Sequence, residues 1–186
     1  MKAVLRQAPN ILSALRLIAA PIAGWLILHR EFFPAVCVFG FAGLSDAADG
    51  YLAKTFGLSS RFGAWLDPAA DKLLMLASFV TLTMVGAVPL WLTALVIGRD
   101  VAIVLGVALA KLLGAPLTVA PLMVGKISTV VQVLYIAGVL LMLTLRQIEP
   151  QAVLAGVLAV ALLTLASFLA YAHVWFQAVA ARSRAV

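Results

Sequence analysis

Residues 46–54 read D-A-A-D-G-Y-L-A-K, and eight residues later residues 63–71 read G-A-W-L-D-P-A-A-D. Four aspartates, Asp46, Asp49, Asp67 and Asp71, therefore stand inside two runs that are otherwise apolar enough to enter a bilayer. A carboxylate near the middle of a membrane costs about 2.5 to 3.5 kcal/mol on insertion scales, so a cluster of them marks a polar cavity, an ion path or a catalytic site. Of the seven acidic residues, Glu31 and Glu149 fall in expected outer loops, and Asp100 lies inside a further apolar segment.

The surrounding sequence gives these aspartates their setting. The chain has 186 residues, 65% of them hydrophobic and 11% charged, a composition far from that of soluble domains. A hydrocarbon core of about 30 Å takes roughly 20 apolar residues per helix. Apolar stretches run approximately over Ile11–Leu28, Phe33–Phe56, Ser60–Val85, Leu90–Leu113, Leu122–Leu145 and Gln151–Val179. The expected fold is an all-α integral membrane domain of six transmembrane helices, one domain over residues 1–186. Strand-like alternation is absent, which disfavours a transmembrane barrel, and no internal repeat is seen. Lys2 and Arg6 share a helical face ahead of Pro9 and Asn10, which predicts a short N-terminal interfacial helix over Met1–Ala8. Arg16 interrupts the first apolar run and no small-residue cleavage site follows, so this segment reads as a retained span rather than a signal peptide.

Basic residues set the orientation. In a six-span arrangement Lys2, Arg6, Lys54, Arg61, Lys111, Lys126, Arg182 and Arg184 fall on one side, and the other side has Arg30 and Arg146. Lys and Arg are retained on the cytoplasmic side, which places both termini there; the expected location is a bacterial inner membrane, as a multi-pass protein with its active site on the cytoplasmic side. The net charge of +6 is then explained by topology and attraction to anionic lipid, not by nucleic acid. Cys37, the single cysteine, stands in an apolar run and reads as a packing residue.

Within a helix, residues three or four apart share a face, so each of the two runs presents a carboxylate pair. With the turn between Phe56 and Ser60, a rise of 1.5 Å per residue sets Asp49 and Asp67 both about 10 Å from it, and Asp46 and Asp71 at about 15 and 16 Å. Four carboxylates in a partly dehydrated site cannot all remain ionised without compensating positive charge. Lys54, Arg61 and Lys72 are too few and too dispersed to supply it. Hard oxygen donors suit Mg²⁺ or Mn²⁺, and a pair of divalent cations is the expected cofactor. Gly50, Ala53 and Gly63 are small enough to admit a ligand or a neighbouring backbone, and Pro68 leaves a backbone carbonyl available or kinks its helix.

The pattern from Asp46 to Asp71 resembles the signature of the CDP-alcohol phosphatidyltransferases, D-x2-D-G-x2-A-R-x8-G-x3-D-x3-D. Every spacing matches, and the one departure is Lys54, where the family usually has Arg. A lysine still binds a diphosphate as a point charge but lacks the bidentate fork. The resemblance implies that Asp46, Asp49 and Asp67 ligate two divalent ions holding the diphosphate of a CDP-linked lipid, with Asp71 near the second ion and acting as general base. It further implies that Gly50, Ala53 and Gly63 line the nucleotide pocket, that Lys54 meets the diphosphate, and that the protein is a homodimer.

For the second substrate the sequence offers Arg99 and Lys126. Arg99 adjoins Asp100, and neighbours on a helix do not face one another, so each is expected to find another partner: for Arg99, an acceptor phosphate or a carboxylate of the quartet. Lys126 opens G-K-I-S-T-V-V-Q, near the expected cytoplasmic mouth. These stretches, with P-N-I-L-S-A-L-R-L at residues 9–17, look like the CMP-forming cardiolipin synthase branch, whose acceptor is phosphatidylglycerol. The branch that uses glycerol 3-phosphate and makes phosphatidylglycerol phosphate is the alternative. An intramembrane cation or proton transporter is the rival outside enzymes, and it predicts metal flux without CDP-diacylglycerol. A prenyltransferase would place its aspartate motifs on widely separated segments, whereas here both pairs lie in neighbouring runs.

Overall fold

A computed structural model describes the backbone of residues 2–56, 63–114 and 122–183, and the side chains of residues 15–45, 70–110, 112–114 and 122–180. Six helices follow in order: α1 Lys2–Leu28, α2 Phe32–Phe56, α3 Gly63–Met84, α4 Leu90–Leu112, α5 Met123–Leu145 and α6 Pro150–Ser183. No strand occurs among the described residues. The ends of α2, α4 and α5 fall within one residue of those expected from apolar run length, because the polar and proline-containing breaks between runs leave little latitude.

The helices α4, α5 and α6 are each long and apolar enough to cross a membrane, while α1 and α2 contribute apolar stretches over Leu15–Leu28 and Phe32–Ser45. Between 22% and 33% of the three longer stretches is buried inside the protein. The rest turns outward, and it includes Leu105, Leu134, Leu158 and Leu162, each more than half exposed. An apolar exterior on this scale is a lipid-facing surface, and the molecule is a membrane protein. Cys37 belongs to that exterior: it is exposed, not packed inside as its apolar surroundings suggest, since in a bilayer both faces of a helix are apolar.

One expectation changes at the N-terminus. The chain does not break at Pro9 and Asn10 to separate an interfacial helix from the first span; α1 is continuous from Lys2. At 27 residues it is about 40 Å long, which exceeds the hydrocarbon core and makes the charged first turns an extension of the span. Likewise α3 runs through Pro68 without interruption.

Three helix ends are closed by the same device. At the end of α1, Arg30 adopts φ 60° while its N–H donates to Ile27 O and that of Glu31 to Leu26 O. Gly86 (φ 80°) and Arg146 (φ 54°) repeat this after α3 and α5, a left-handed cap that satisfies the last carbonyls. Pro150 opens α6 at the first helical position, where its missing N–H costs nothing.

The described chain forms two compact units, Met1–Val88 with Ile136–Ile148, and Pro89–Tyr135 with Glu149–Val186. In the first, α1 packs against both α2 and α3. Buried Ala19, Ala20, Ala23, Ala35 and Ala42 permit close backbone approach, and a Cβ at Gly24 would already be 3.3 Å from Thr81 Cγ2. In the second, α4 packs against α6. Polar side chains stitch its interior: Gln132 Nε2 donates to Thr164 Oγ1 (3.1 Å) and to Ser128 Oγ (3.3 Å), all three residues being buried.

The most crowded of the described glycines in that unit gives a prediction. A Cβ at Gly156 would lie 2.6 Å from Cδ2 of the buried Tyr135 ring, whereas one at Gly138 meets nothing within 4 Å. Overpacking of this kind costs about 1 to 3 kcal/mol, and each kcal/mol shifts Tm by about 2 to 4 °C at this size. Gly156→Ala is expected to lower the thermal midpoint in detergent by several degrees, and Gly138→Ala to leave it unchanged or raise it. Equal midpoints for the two variants would contradict the close approach of α5 and α6.

Candidate functional site

Helix α2 is unbroken over Phe32–Phe56, so positions 46 and 49 stand one turn apart on one of its faces, with Gly50, Ala53 and Lys54 on the same or following turn. Helix α3 starts at Gly63 and puts positions 67 and 71 one turn apart on one of its own faces. Side chains at positions 46–69 lie outside the described residues, and so do the connection 57–62 and Arg61. The helical register sets positions 46 and 49, and positions 67 and 71, each one turn apart. Asp71 is part-buried, Lys72 is exposed, and both are partnered.

Sequence reasoning missed one residue of this unit. Arg16, noted only as an interruption of an apolar run, is the largest fully buried side chain in the chain as described, at 1% exposure. It too is partnered. A guanidinium is taken out of water only where charge or hydrogen bonds meet it, and α1 is the helix that touches both aspartate-bearing helices. The available signal was an arginine inside an otherwise apolar helix, the basic counterpart of the intramembrane aspartates.

In the other unit Arg99 is the centre. It is 7% exposed on α4. Its Nε donates to Ser167 Oγ on α6 at 3.2 Å, and Nη2 donates to the same oxygen. Its Nη1 contacts Asp100 Oδ1 at 2.6 Å, and its Cζ lies 5.7 Å from the centre of the Tyr171 ring. The pairing with Asp100 overturns the expectation that adjacent residues cannot satisfy each other: the two positions are about 100° apart on the helix, and the long arginine side chain spans that gap. Three of the five guanidinium N–H groups are thus engaged among the described residues.

Tyr171 and Gly125 complete this surrounding. The Leu122 N–H donates to Tyr171 Oη at 3.2 Å, which ties α6 to the start of α5. A Cβ at Gly125 would be 3.1 Å from Arg99 Nη2 and 3.2 Å from Tyr171 Oη, so the absence of a side chain there admits the guanidinium. Lys126 is exposed in the same first turn of α5, where its N–H donates to Leu122 O. The structure therefore brings Arg99 to the G-K stretch at Gly125, with Lys126 beside it at the surface. Ser167 and Tyr171 were not legible beforehand, being ordinary residues of an apolar helix whose partner is 68 or more positions away.

A profile of the CDP-alcohol phosphatidyltransferases matches residues 6–180 and runs through both units. The chain belongs to the CDP-alcohol phosphatidyltransferase family. It is 35% identical over 146 residues to the cardiolipin synthase (CMP-forming) of Rattus norvegicus, covering 70% of this chain and 48% of that protein. It is 40% identical over 114 residues to the cardiolipin synthase (CMP-forming) of Streptomyces coelicolor, covering 58% and 53%. A third relative, the chloroplastic CDP-diacylglycerol–glycerol-3-phosphate 3-phosphatidyltransferase 1 of Oryza sativa subsp. japonica, is 32% identical over 150 residues, covering 72% and 46%. The chain spans about half the length of these curated relatives. CDP-alcohol phosphatidyltransferases are generally dependent on a divalent metal.

Proposed function

We propose that this phosphatidyltransferase moves the phosphatidyl group of CDP-diacylglycerol to an alcohol with release of CMP, and that the alcohol is phosphatidylglycerol, giving cardiolipin. The observation that supports it most is the full D-x2-D-G…G-x3-D-x3-D spacing set on two uninterrupted helices within a family match over most of the chain. The all-oxygen donor set fits hard divalent cations. Asp46, Asp49 and Asp67 would hold two of them, Mg²⁺ or Mn²⁺, with Asp71 at the second, and the ions would supply charge stabilisation at the diphosphate. The chain's own residues do the rest. Gly50, Ala53 and Gly63 admit the nucleotide, and Lys54 meets the diphosphate as a point charge. The Asp71 carboxylate takes the proton of the acceptor hydroxyl, whose oxygen forms a bond to the lipid-bearing phosphorus as the bond from that phosphorus to CMP breaks.

Arg99 and Lys126 bind the acceptor in this reading, Arg99 held ready by Ser167, Asp100 and Tyr171. The active site and both termini face the cytoplasm of a bacterium, on the asymmetry of Lys and Arg, and the protein acts as a homodimer. Glycerol 3-phosphate is the second acceptor to be tested, on the strength of the rice relative.

Purified protein in lipid nanodiscs should release CMP from labelled CDP-diacylglycerol when phosphatidylglycerol is added, and not with glycerol 3-phosphate, inositol phosphate or serine. Release driven by glycerol 3-phosphate alone would move the protein to the other branch. Gly125→Ala gives a finer check, because the added methyl pushes on a guanidinium and a phenol that are both tethered. A cost of about 1 kcal/mol corresponds to roughly five-fold, so the acceptor KM is expected to rise by about that factor while the KM for CDP-diacylglycerol stays constant. A parallel rise in both would contradict the assignment of Arg99 to the acceptor.

A further inference from the structure

Between α4 and α6 lies a cleft of about 260 Å³, walled by Ala102, Ile103 and Gly106 on one helix and Tyr171, Ala172 and Trp175 on the other. Small residues at 102, 106 and 172 create the space. Trp175 fixes its width, since its Nε1 donates to Gly106 O at 2.8 Å. Few polar atoms line it: the indole N–H donates to Gly106 O, and the Tyr171 hydroxyl oxygen accepts the Leu122 N–H. What the cleft offers is hydrocarbon and aromatic surface, so its occupant is apolar where it enters.

Size and surroundings narrow the occupant. A helix with its side chains is about 10 to 12 Å across, more bulk than about 260 Å³ holds, whereas a stretch of extended acyl chain is only one methylene wide. Two of its lining residues, Phe168 and Phe176, are exposed to 39% and 65%, so the cleft opens onto the lipid-facing surface. One ring joins the cleft to a cation. Tyr171 lines the cleft and also stands against Arg99, two of whose N–H groups are not engaged among the described residues. A hydrocarbon slot next to a guanidinium matches a molecule with an acyl chain and an anionic phosphate.

We propose that the α4–α6 cleft holds one acyl chain of the acceptor phospholipid, with Arg99 beside its phosphate. This rests on the phosphatidylglycerol reading above. The test uses the full chain in phosphatidylcholine nanodiscs with phosphatidylglycerol bearing a photoactivatable diazirine in an acyl chain, followed by peptide mapping of the adducts. Adducts are expected on residues 102–107 and 168–176, displaced by unlabelled phosphatidylglycerol and not by added phosphatidylcholine. Ala172→Trp fills the slot and is expected to reduce these adducts at least tenfold and to raise the phosphatidylglycerol KM without changing that for CDP-diacylglycerol. Ala172→Leu, a smaller fill, serves the same purpose should the tryptophan variant misfold. Undiminished adducts in a folded Ala172 variant, or equal displacement by phosphatidylcholine, would each overturn the proposal. Turnover of phosphatidylglycerol without cleft adducts sinks this inference alone, whereas turnover of glycerol 3-phosphate in place of phosphatidylglycerol sinks the reading beneath it.

Discussion

Asp71→Asn protein is expected to bind CDP-diacylglycerol in the presence of Mg²⁺ and to release CMP at no more than about a thousandth of the wild-type rate, within the range that general-base removal costs. Asparagine keeps the size of the side chain and one carbonyl oxygen, so the helix and much of the local packing survive. It cannot accept a proton from a hydroxyl. Asp71 is well placed for such a role because it is part-buried on α3 and shares a helical face with position 67. Titration calorimetry with CDP-diacylglycerol, run beside the CMP assay, separates binding from chemistry. Wild-type turnover in the variant would remove Asp71 as the base.

Asp49→Ala and Asp46→Ala are expected to fail earlier in the cycle, at binding. Alanine is the best helix former, and both positions are inside α2, so the helix itself is not threatened. In the proposed metal site, losing one carboxylate of the four would remove a ligand, and with it the charge that the diphosphate would meet. Turnover should fall by at least about a thousandfold, with CDP-diacylglycerol binding lost as well, in contrast to Asp71→Asn. The metal-free protein carries a second expectation of opposite sign. Four carboxylates gathered as proposed would repel one another, so removing one would relieve the unliganded state, and its Tm should not fall. Wild-type protein should gain Tm on adding Mn²⁺, and the variants should not. A variant destabilised without metal yet stabilised by Mn²⁺ as wild type is would contradict the ligand assignment.

The fold was largely legible because a bilayer restricts the choices: apolar run length, charge and proline set α2, α4 and α5 to within a residue. At the N-terminus that logic overreached, reading Pro9 as a break where α1 continues through it. The aspartate pairs were legible because each lies within a single helix, where spacing in sequence is spacing on a face. Interhelical relations were not. The embrace of Arg99 by Ser167 and Tyr171 joins residues about 70 positions apart, and neither serine nor tyrosine on α6 announces a partner. The Arg99 pairing with Asp100 was misjudged because positions on a helix were considered without the reach of the arginine side chain. Arg16 had a visible signal, a lone charge in an apolar helix, but was weighed only against a signal peptide and within the stretch at residues 9–17.

The central claim is that Asp46, Asp49, Asp67 and Asp71 form one paired-metal centre, and electron paramagnetic resonance of Mn²⁺-loaded protein tests it most directly. The account predicts two bound Mn²⁺ per chain whose spectra are exchange-coupled in the presence of CDP-diacylglycerol, with coupling lost in Asp49→Ala protein. A single uncoupled Mn²⁺, or a coupled pair that persists when Asp49 is removed, would contradict it.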